Sequence, residues 1–202
     1  MSRAILARLR IWITAGALLM IGAAGCTRHS TDLTRASAAP ARAPPGSECL
    51  PDRSGYLRLR ARGAQNLDLD WGDPELQCEG GPRPDQGGLR LTFAARSPGG
   101  ERRPRLVFGV AATPSPGTSR AVPANVTLIL EGENRLYSTR GDEKCTIDEL
   151  VQTTISAHSY RVAGRGFCAA PATSLDGKED VLISRFDFAG PVVDAESSDH
   201  PK

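Results

Sequence analysis

The chain has 202 residues, with 25 basic against 23 acidic side chains and a formal charge of +2. Arg3, Arg8 and Arg10 carry the excess, so the chain beyond residue 25 falls to about −1. A near-neutral chain lacks the basic footprint that nucleic-acid binding requires. Only three basic residues are lysines (Lys144, Lys178 and Lys202), which points to a compositional preference for arginine across the whole chain. Gly and Pro total 36 residues, abundant enough to predict many turns.

The first element is the leader. After the arginines comes an uncharged, mostly apolar run over residues 11–24. As a helix it would rise about 21 Å, short of the roughly 30 Å hydrocarbon core of a bilayer. That length suits the apolar region of a signal peptide better than a permanent span. Small residues follow, Gly22 to Gly25, and then Cys26. Ala24, Gly25 and Cys26 resemble the end of a lipobox, the cleavage motif of bacterial lipoproteins. Ala23 departs from the family pattern, in which leucine is usual. The resemblance covers the first 26 residues. It implies cleavage before Cys26 and multiple acylation of that cysteine, palmitate included. More than one acyl chain is what stable membrane attachment needs. Thr27 is not the aspartate the family often uses for inner-membrane retention, so in a two-membrane cell the resemblance leans toward the outer membrane. A second reading stays open: Ala23 and Gly25 also satisfy the small-x-small rule of ordinary secretory cleavage, which would leave a soluble secreted or periplasmic protein.

Residues 27–47 are rich in Ala, Pro, Arg, Ser and Thr, and Leu33 is their only large aliphatic side chain. Such a segment buries too little apolar surface to offset ordering entropy and is expected to be a disordered tether. The division is therefore a signal peptide over 1–25, the lipidated cysteine and tether over 26–48, a β-domain over 49–190, and a polar tail over 191–202.

Within the domain, residues 56–62 (YLRLRAR) and 66–71 (NLDLDW) alternate apolar and charged side chains. Period two predicts strands with one wet face, and the three residues between them suit a hairpin loop. One register opposes Arg60 to Asp68 and Arg58 to Asp70 on the wet face. It also opposes Leu59 to Leu69 and Leu57 to Trp71 on the other. Further strands are predicted at 76–79, 88–95, 105–110, 125–131, 135–138, 145–153, 159–163 and 181–189. Residues 150–157 could hold one helical turn. Many short strands between turn signals predict an all-β domain, an antiparallel β-sandwich with a barrel as the alternative.

There are five cysteines. With Cys26 lipidated, Cys49, Cys78, Cys145 and Cys168 remain, an even number in an exported chain. Locality favours Cys49–Cys78, which brackets the hairpin, and Cys145–Cys168.

Other candidates have bland readings. Asp68, Asp70, Asp73 and Glu75 are dense enough to suggest Ca²⁺, but the spacing is not an EF-hand loop, so cross-strand charge pairing is expected. His158 is the only histidine inside the domain, and no Gly-x-Ser-x-Gly elbow accompanies it. Arg140-Gly141-Asp142 is expected to mark a loop. Asn125-Val126-Thr127 is a glycosylation sequon of no consequence in a bacterial route. Arg102, Arg103 and Arg105 are expected in a solvated loop. Leu182, Phe186 and Phe188 are assigned to one buried face of the last strand. No catalytic residue, metal site or cofactor is assigned. The expected function is a lipid-anchored envelope protein with a binding or structural β-module, its envelope partner or ligand open. The rival is an anchored hydrolase using paired carboxylates.

Overall fold

The computed structural model describes residues 48–83, 87–96 and 103–194. The leader, Cys26, most of the tether, Arg102 and the end of the tail lie outside the described residues. The domain is all-β, and no α-helix occurs among the described residues. Eleven strands follow in order: β1 (Tyr56–Gly63), β2 (Leu67–Gly72), β3 (Leu76–Pro82), β4 (Leu89–Ala95), β5 (Arg103–Val110), β6 (Gly117–Glu131), β7 (Arg135–Ser138), β8 (Cys145–Ser156), β9 (Ser159–Cys168), β10 (Ala172–Ser174) and β11 (Asp180–Val193).

All ladders are antiparallel. The main path runs β2-β1-β11-β10-β7-β6-β5-β4-β3, with β8 bridging β6 to β9 and β9 returning to β11. The two long strands make this possible. The first half of β6 pairs with β8, and its second half pairs with β7. Asp180 and Val181 at the start of β11 pair with β10, and Phe186 to Val193 pair with β9. Each long strand thus belongs to two neighbourhoods.

The core shows that the sheet folds over on itself. Phe93 of β4 and Phe108 of β5 stand well along the path from β11, yet both rings meet Phe186 or Phe188 of that strand. Ring centroids lie 4.8 Å apart for Phe108 and Phe188, 5.2 Å for Phe108 and Phe186, and 5.5 Å for Phe93 and Phe188. All four rings are fully buried. Two layers face each other across an aromatic centre, a β-sandwich-like arrangement. Gly80 of β3 closes one side against β11, where an added Cβ would meet the Pro191 carbonyl oxygen.

The β1–β2 hairpin has the predicted register: Leu57 opposes Trp71, Arg58 opposes Asp70, Leu59 opposes Leu69 and Arg60 opposes Asp68. Leu57 and Leu59 are buried and the charged residues exposed, as a half-wet strand requires.

Several expectations are corrected. Residues 150–157 hold no helical turn: β8 continues to Ser156 and turns at Ala157 and His158 into β9. The start of β6, Gly117 to Arg120, is exposed and polar, so it carries no apolar alternation; pairing with β8 makes it a strand. β10 is too short to leave a pattern. Arg103 and Arg105 lie in β5 rather than in a loop, and Arg105 binds Glu131. Pro104 is tolerated there because the β4 ladder stops at Arg105. β11 runs to Val193, past the boundary drawn at 190, and Val192 is buried.

Leu182 is the most informative correction. It does not share the face of Phe186 and Phe188 but lies 40 % exposed, while Val181 and Ile183 are fully buried. Opposite β1, the register shifts between Arg60 and Ala61: Arg60 faces Arg185, but Ala61 faces Ile183. Ser184 is the extra residue of a β-bulge. One inserted residue moves every side chain beyond it to the other face.

Candidate functional site

The predicted cysteine pairs are the pairs the fold brings together. Cys49 and Cys78 stand at disulfide distance with Cα atoms 5.1 Å apart, and Cys145 and Cys168 with Cα atoms 3.8 Å apart. The first pair fastens the entry of the chain beneath β1. Gly55 makes the room: a Cβ there would strike the Cys49 sulfur. Asp73 secures the same entry. It is buried, and its carboxylate accepts the amides of Cys49 at 3.3 Å and Leu50 at 3.2 Å. The second pair links residues directly opposite on β8 and β9.

The acidic stretch divides into separate structural tasks. Asp68 receives Arg60 and Arg62, Asp70 receives Arg58, Asp73 anchors backbone, and Glu75 accepts the Gly72 amide. No group of three or more potential metal ligands occurs among the described residues. His158 sits exposed in the β8–β9 turn, and only its backbone carbonyl is engaged, by the Asp194 amide. In the Arg-Gly-Asp tripeptide the aspartate is turned inward. Asp142 accepts Arg83 at 3.1 Å and the Asn125 side-chain amide, so the tripeptide is a folded loop before β8.

Two concave regions stand out. The first lies on the outer face of β2, β1 and β11, a groove of about 620 Å³ floored by the charged faces of the hairpin and by Ser184, Arg185 and Asp187. It joins a smaller hollow of about 310 Å³ bordered by Asp148, Arg165 and Phe167, which shares Ser184 and Arg185. The bulge joins them. Its insertion presents Ser184 and Arg185, consecutive residues, both exposed on the outer surface. The Ser184 hydroxyl donates to the Arg60 carbonyl oxygen at 3.3 Å.

The groove's electrostatics are largely paired. Hydrogen bonding from Arg62 holds the Asp68 carboxyl below its ordinary value, and the bond to Asp70 raises the Arg58 guanidinium. Tyr56 donates to Asp187 at 2.8 Å; burial, then that carboxylate, pushes the phenol up. Arg165 pairs with Glu149 at 2.9 Å. Arg185 is different. It has no hydrogen bond or ion pair among the described residues, and its ladder neighbour on β1 is another arginine, Arg60.

The second region, about 560 Å³, lies between the β6–β7 and β10–β11 turns. Its floor is a closed network. The buried Tyr137 donates to Glu179 at 2.6 Å, Arg135 binds the same carboxylate, and the Gln65 side-chain amide donates to the Tyr137 oxygen at 3.4 Å. Tyr137, then Arg135, holds Glu179 below its ordinary value, while burial raises the Tyr137 phenol. Among the described residues, every carboxyl with a resolved shift is moved down: Asp52, Asp68, Asp176 and Glu179.

Sequence reasoning placed Arg58, Arg60, Asp68 and Asp70 on the wet face of the hairpin, where they line the larger groove, but did not place Arg185 beside them. No local signal marks a bulge in β11. Comparison of the chain with family models, with curated proteins and with solved structures finds no match.

Proposed function

We propose that this chain is a lipid-anchored protein of the bacterial cell envelope whose β-domain is a non-enzymatic binding module. The observation that carries the reading is the cysteine arithmetic. Four cysteines stand in two pairs inside the domain, leaving Cys26 alone, and Cys26 is the residue at which the lipobox-like Ala24-Gly25-Cys26 ends. Two disulfides also fit an oxidising, extracytoplasmic compartment. On this reading residues 27–48 form the tether between the bilayer and β1, and Thr27 leans the assignment toward the outer membrane. Binding is favoured over hydrolysis because the three carboxylates lining the larger groove are each engaged by a neighbour: Asp68 by Arg60 and Arg62, Asp70 by Arg58, and Asp187 by Tyr56.

The test is fractionation of cells expressing the wild-type precursor and a Cys26→Ser variant. Wild type is expected with membranes and with an acyl mass increment on its N-terminal peptide; the variant is expected to lack the increment. A wild-type mature chain that is soluble and unacylated would support ordinary secretory cleavage and sink the anchor.

A further inference from the structure

We propose that the free edge of β2 docks an extended segment of another protein, one that alternates apolar with basic residues, as an added strand. The inference rests on the binding-module reading above and names its partner.

The first argument is the edge itself. The strand path ends at β2 on one side and at β3 on the other. β3 is guarded: Gly80 packs against the Pro191 carbonyl of β11, and Cys78 stands at disulfide distance from Cys49. β2 has β1 as its one ladder partner among the described residues. In an antiparallel ladder, alternate residues turn both N–H and C=O to the same side. The Arg60 carbonyl accepts the Ser184 hydroxyl and so points to β11. Leu57, Leu59 and Ala61 therefore face β2, where they oppose Trp71, Leu69 and Leu67. That leaves the main chain of Asp68 and Asp70 turned outward. The Gly72 amide, in the same phase, donates outward to Glu75. The main-chain N–H and C=O of Asp68 and Asp70 have no partner among the described residues. Donors and acceptors alternating along a strand edge are matched by another extended backbone.

The second argument is what flanks that edge. On the inner face Leu69 and Trp71 are only half-buried at the rim of the core, and apolar side chains on an added strand would finish covering them. On the outer face Asp68 and Asp70 are exposed, and Asp70, its side chain 79 % exposed, meets a single arginine, Arg58. Residues directly opposite these aspartates are favoured when basic and disfavoured when acidic. β1 already meets the same pattern from the other side, with Leu57 and Leu59 inward and Arg58 and Arg60 outward.

The third argument excludes nearer occupants. Two β2 strands paired about a two-fold axis at Leu69 set Asp68 against Asp70 twice. An axis at Asp68 or at Asp70 sets a carboxylate against its own copy. Like charges directly opposite are destabilising, so a second copy is the wrong partner. The tether does not fit either: Arg28, Arg35 and Arg42 stand seven apart, against a strand period of two.

The test titrates the purified mature chain, in detergent, with a short peptide alternating valine and arginine. Trp71 is the reporter: Trp12 lies in the leader, so on the reading above the mature chain has Trp71 alone. Its emission is expected to shift saturably to shorter wavelength as the peptide covers the indole, with weaker binding as salt rises. The same peptide with glutamate for arginine should leave the emission unchanged. Methyl groups on alternate main-chain nitrogens of the peptide separate strand addition from charge attraction: one set should abolish binding and the other be tolerated. Asp70→Asn should weaken binding about two- to fivefold, the size of one cross-strand charge pair. Asp70→Pro, whose missing N–H faces outward, should melt cooperatively and lose binding. Glu143→Gln, at an exposed carboxylate before β8, should bind as wild type. No emission change with the arginine peptide, an equal response to the glutamate peptide, or an equal effect of both methylated sets would overturn the proposal. A concentration-dependent dimer that Asp70→Pro dissolves would assign the edge to a second copy and overturn the partner. If Asp70→Pro does not fold, the methylated peptides still decide. None of these readouts depends on acylation, so they fail separately from the anchor.

Discussion

Phe186 of β11 stands directly opposite Gly166 of β9, and its ring tip lies 2.9 Å from where a Cβ at residue 166 would sit. The next pair on that face repeats the arrangement, with Phe188 opposite Gly164. Glycines in β9 therefore let the tips of the two central rings close on their neighbouring strand. At Gly166 the added methyl would also meet the Thr146 carbonyl oxygen, which is backbone and cannot rotate away. Gly166→Ala should destabilise the domain by about 1–3 kcal/mol, the usual cost of overpacking. Gly72→Ala, where a Cβ meets nothing within 4 Å, is the matching control. Urea midpoints of the two variants check the contrast; equal midpoints would contradict it.

The bulge at Ser184 makes a prediction about neighbours in sequence. Ile183 is fully buried and Leu182 is 40 % exposed. Ile183→Ala should cost about 2–5 kcal/mol, and Leu182→Ala less than about 1 kcal/mol. A regular strand in phase with Phe186 and Phe188 would reverse that order. Chemical denaturation of the two single variants distinguishes the phases.

The cysteine pairs close loops with sequence separations of 29 and 23. In the chain-entropy model each closure stabilises by about 3–4 kcal/mol. That is a large share of a domain's usual 5–15 kcal/mol or so. Cys49→Ala with Cys78→Ala, and Cys145→Ala with Cys168→Ala, should each lower stability by amounts of this order. The two pairs do not share a loop, so the losses should be close to additive. Non-reducing peptide mapping must first find Cys49 with Cys78 and Cys145 with Cys168. A crossed linkage would refute the pairing.

Acid should loosen the turn network around Glu179. Its bonds to Tyr137 and Arg135 hold its folded-state pKa below the ordinary, unfolded value. A depressed carboxyl contributes stability that is fully present above the unfolded pKa and is lost as pH falls through the folded one. Below the ordinary glutamate range, near pH 4.3 or so, that contribution declines. Glu179→Gln removes the titration, so melting temperature followed from pH 7 to pH 3 should fall less steeply in the variant than in wild type. Parallel curves would show that Glu179 is not coupled to folding.

Much of the fold was written locally. Leu57, Leu59, Leu69 and Trp71 alternate with charge, so period two named the strands and one register satisfied both faces of the hairpin. Phe186 and Phe188 were legible as core for the same reason. The separation of Cys49 from Cys78 by one hairpin made their pairing the local solution. These features depend on near neighbours in sequence, or on a turn that returns the chain to itself, and pattern reports such information directly.

Other features were decided by partners distant in the chain. The exposed start of β6 is a strand because β8 lies beside it, and β10 is one because β7 and β11 flank it. Leu182 reads as a core residue in isolation; Ser184 inserts against β1, more than a hundred residues earlier, and turns it outward. That insertion also sets Arg185 opposite Arg60 and joins the two hollows of the outer face. A bulge is settled by how two remote strands fit together, so its position, and the joining of the two hollows at it, exist only in the tertiary structure. The proposed targeting signal is the reverse case: on that reading the charge of residues 1–10, the short apolar run after them and Cys26 in its small-residue setting form a linear motif, which needs no folding to be read.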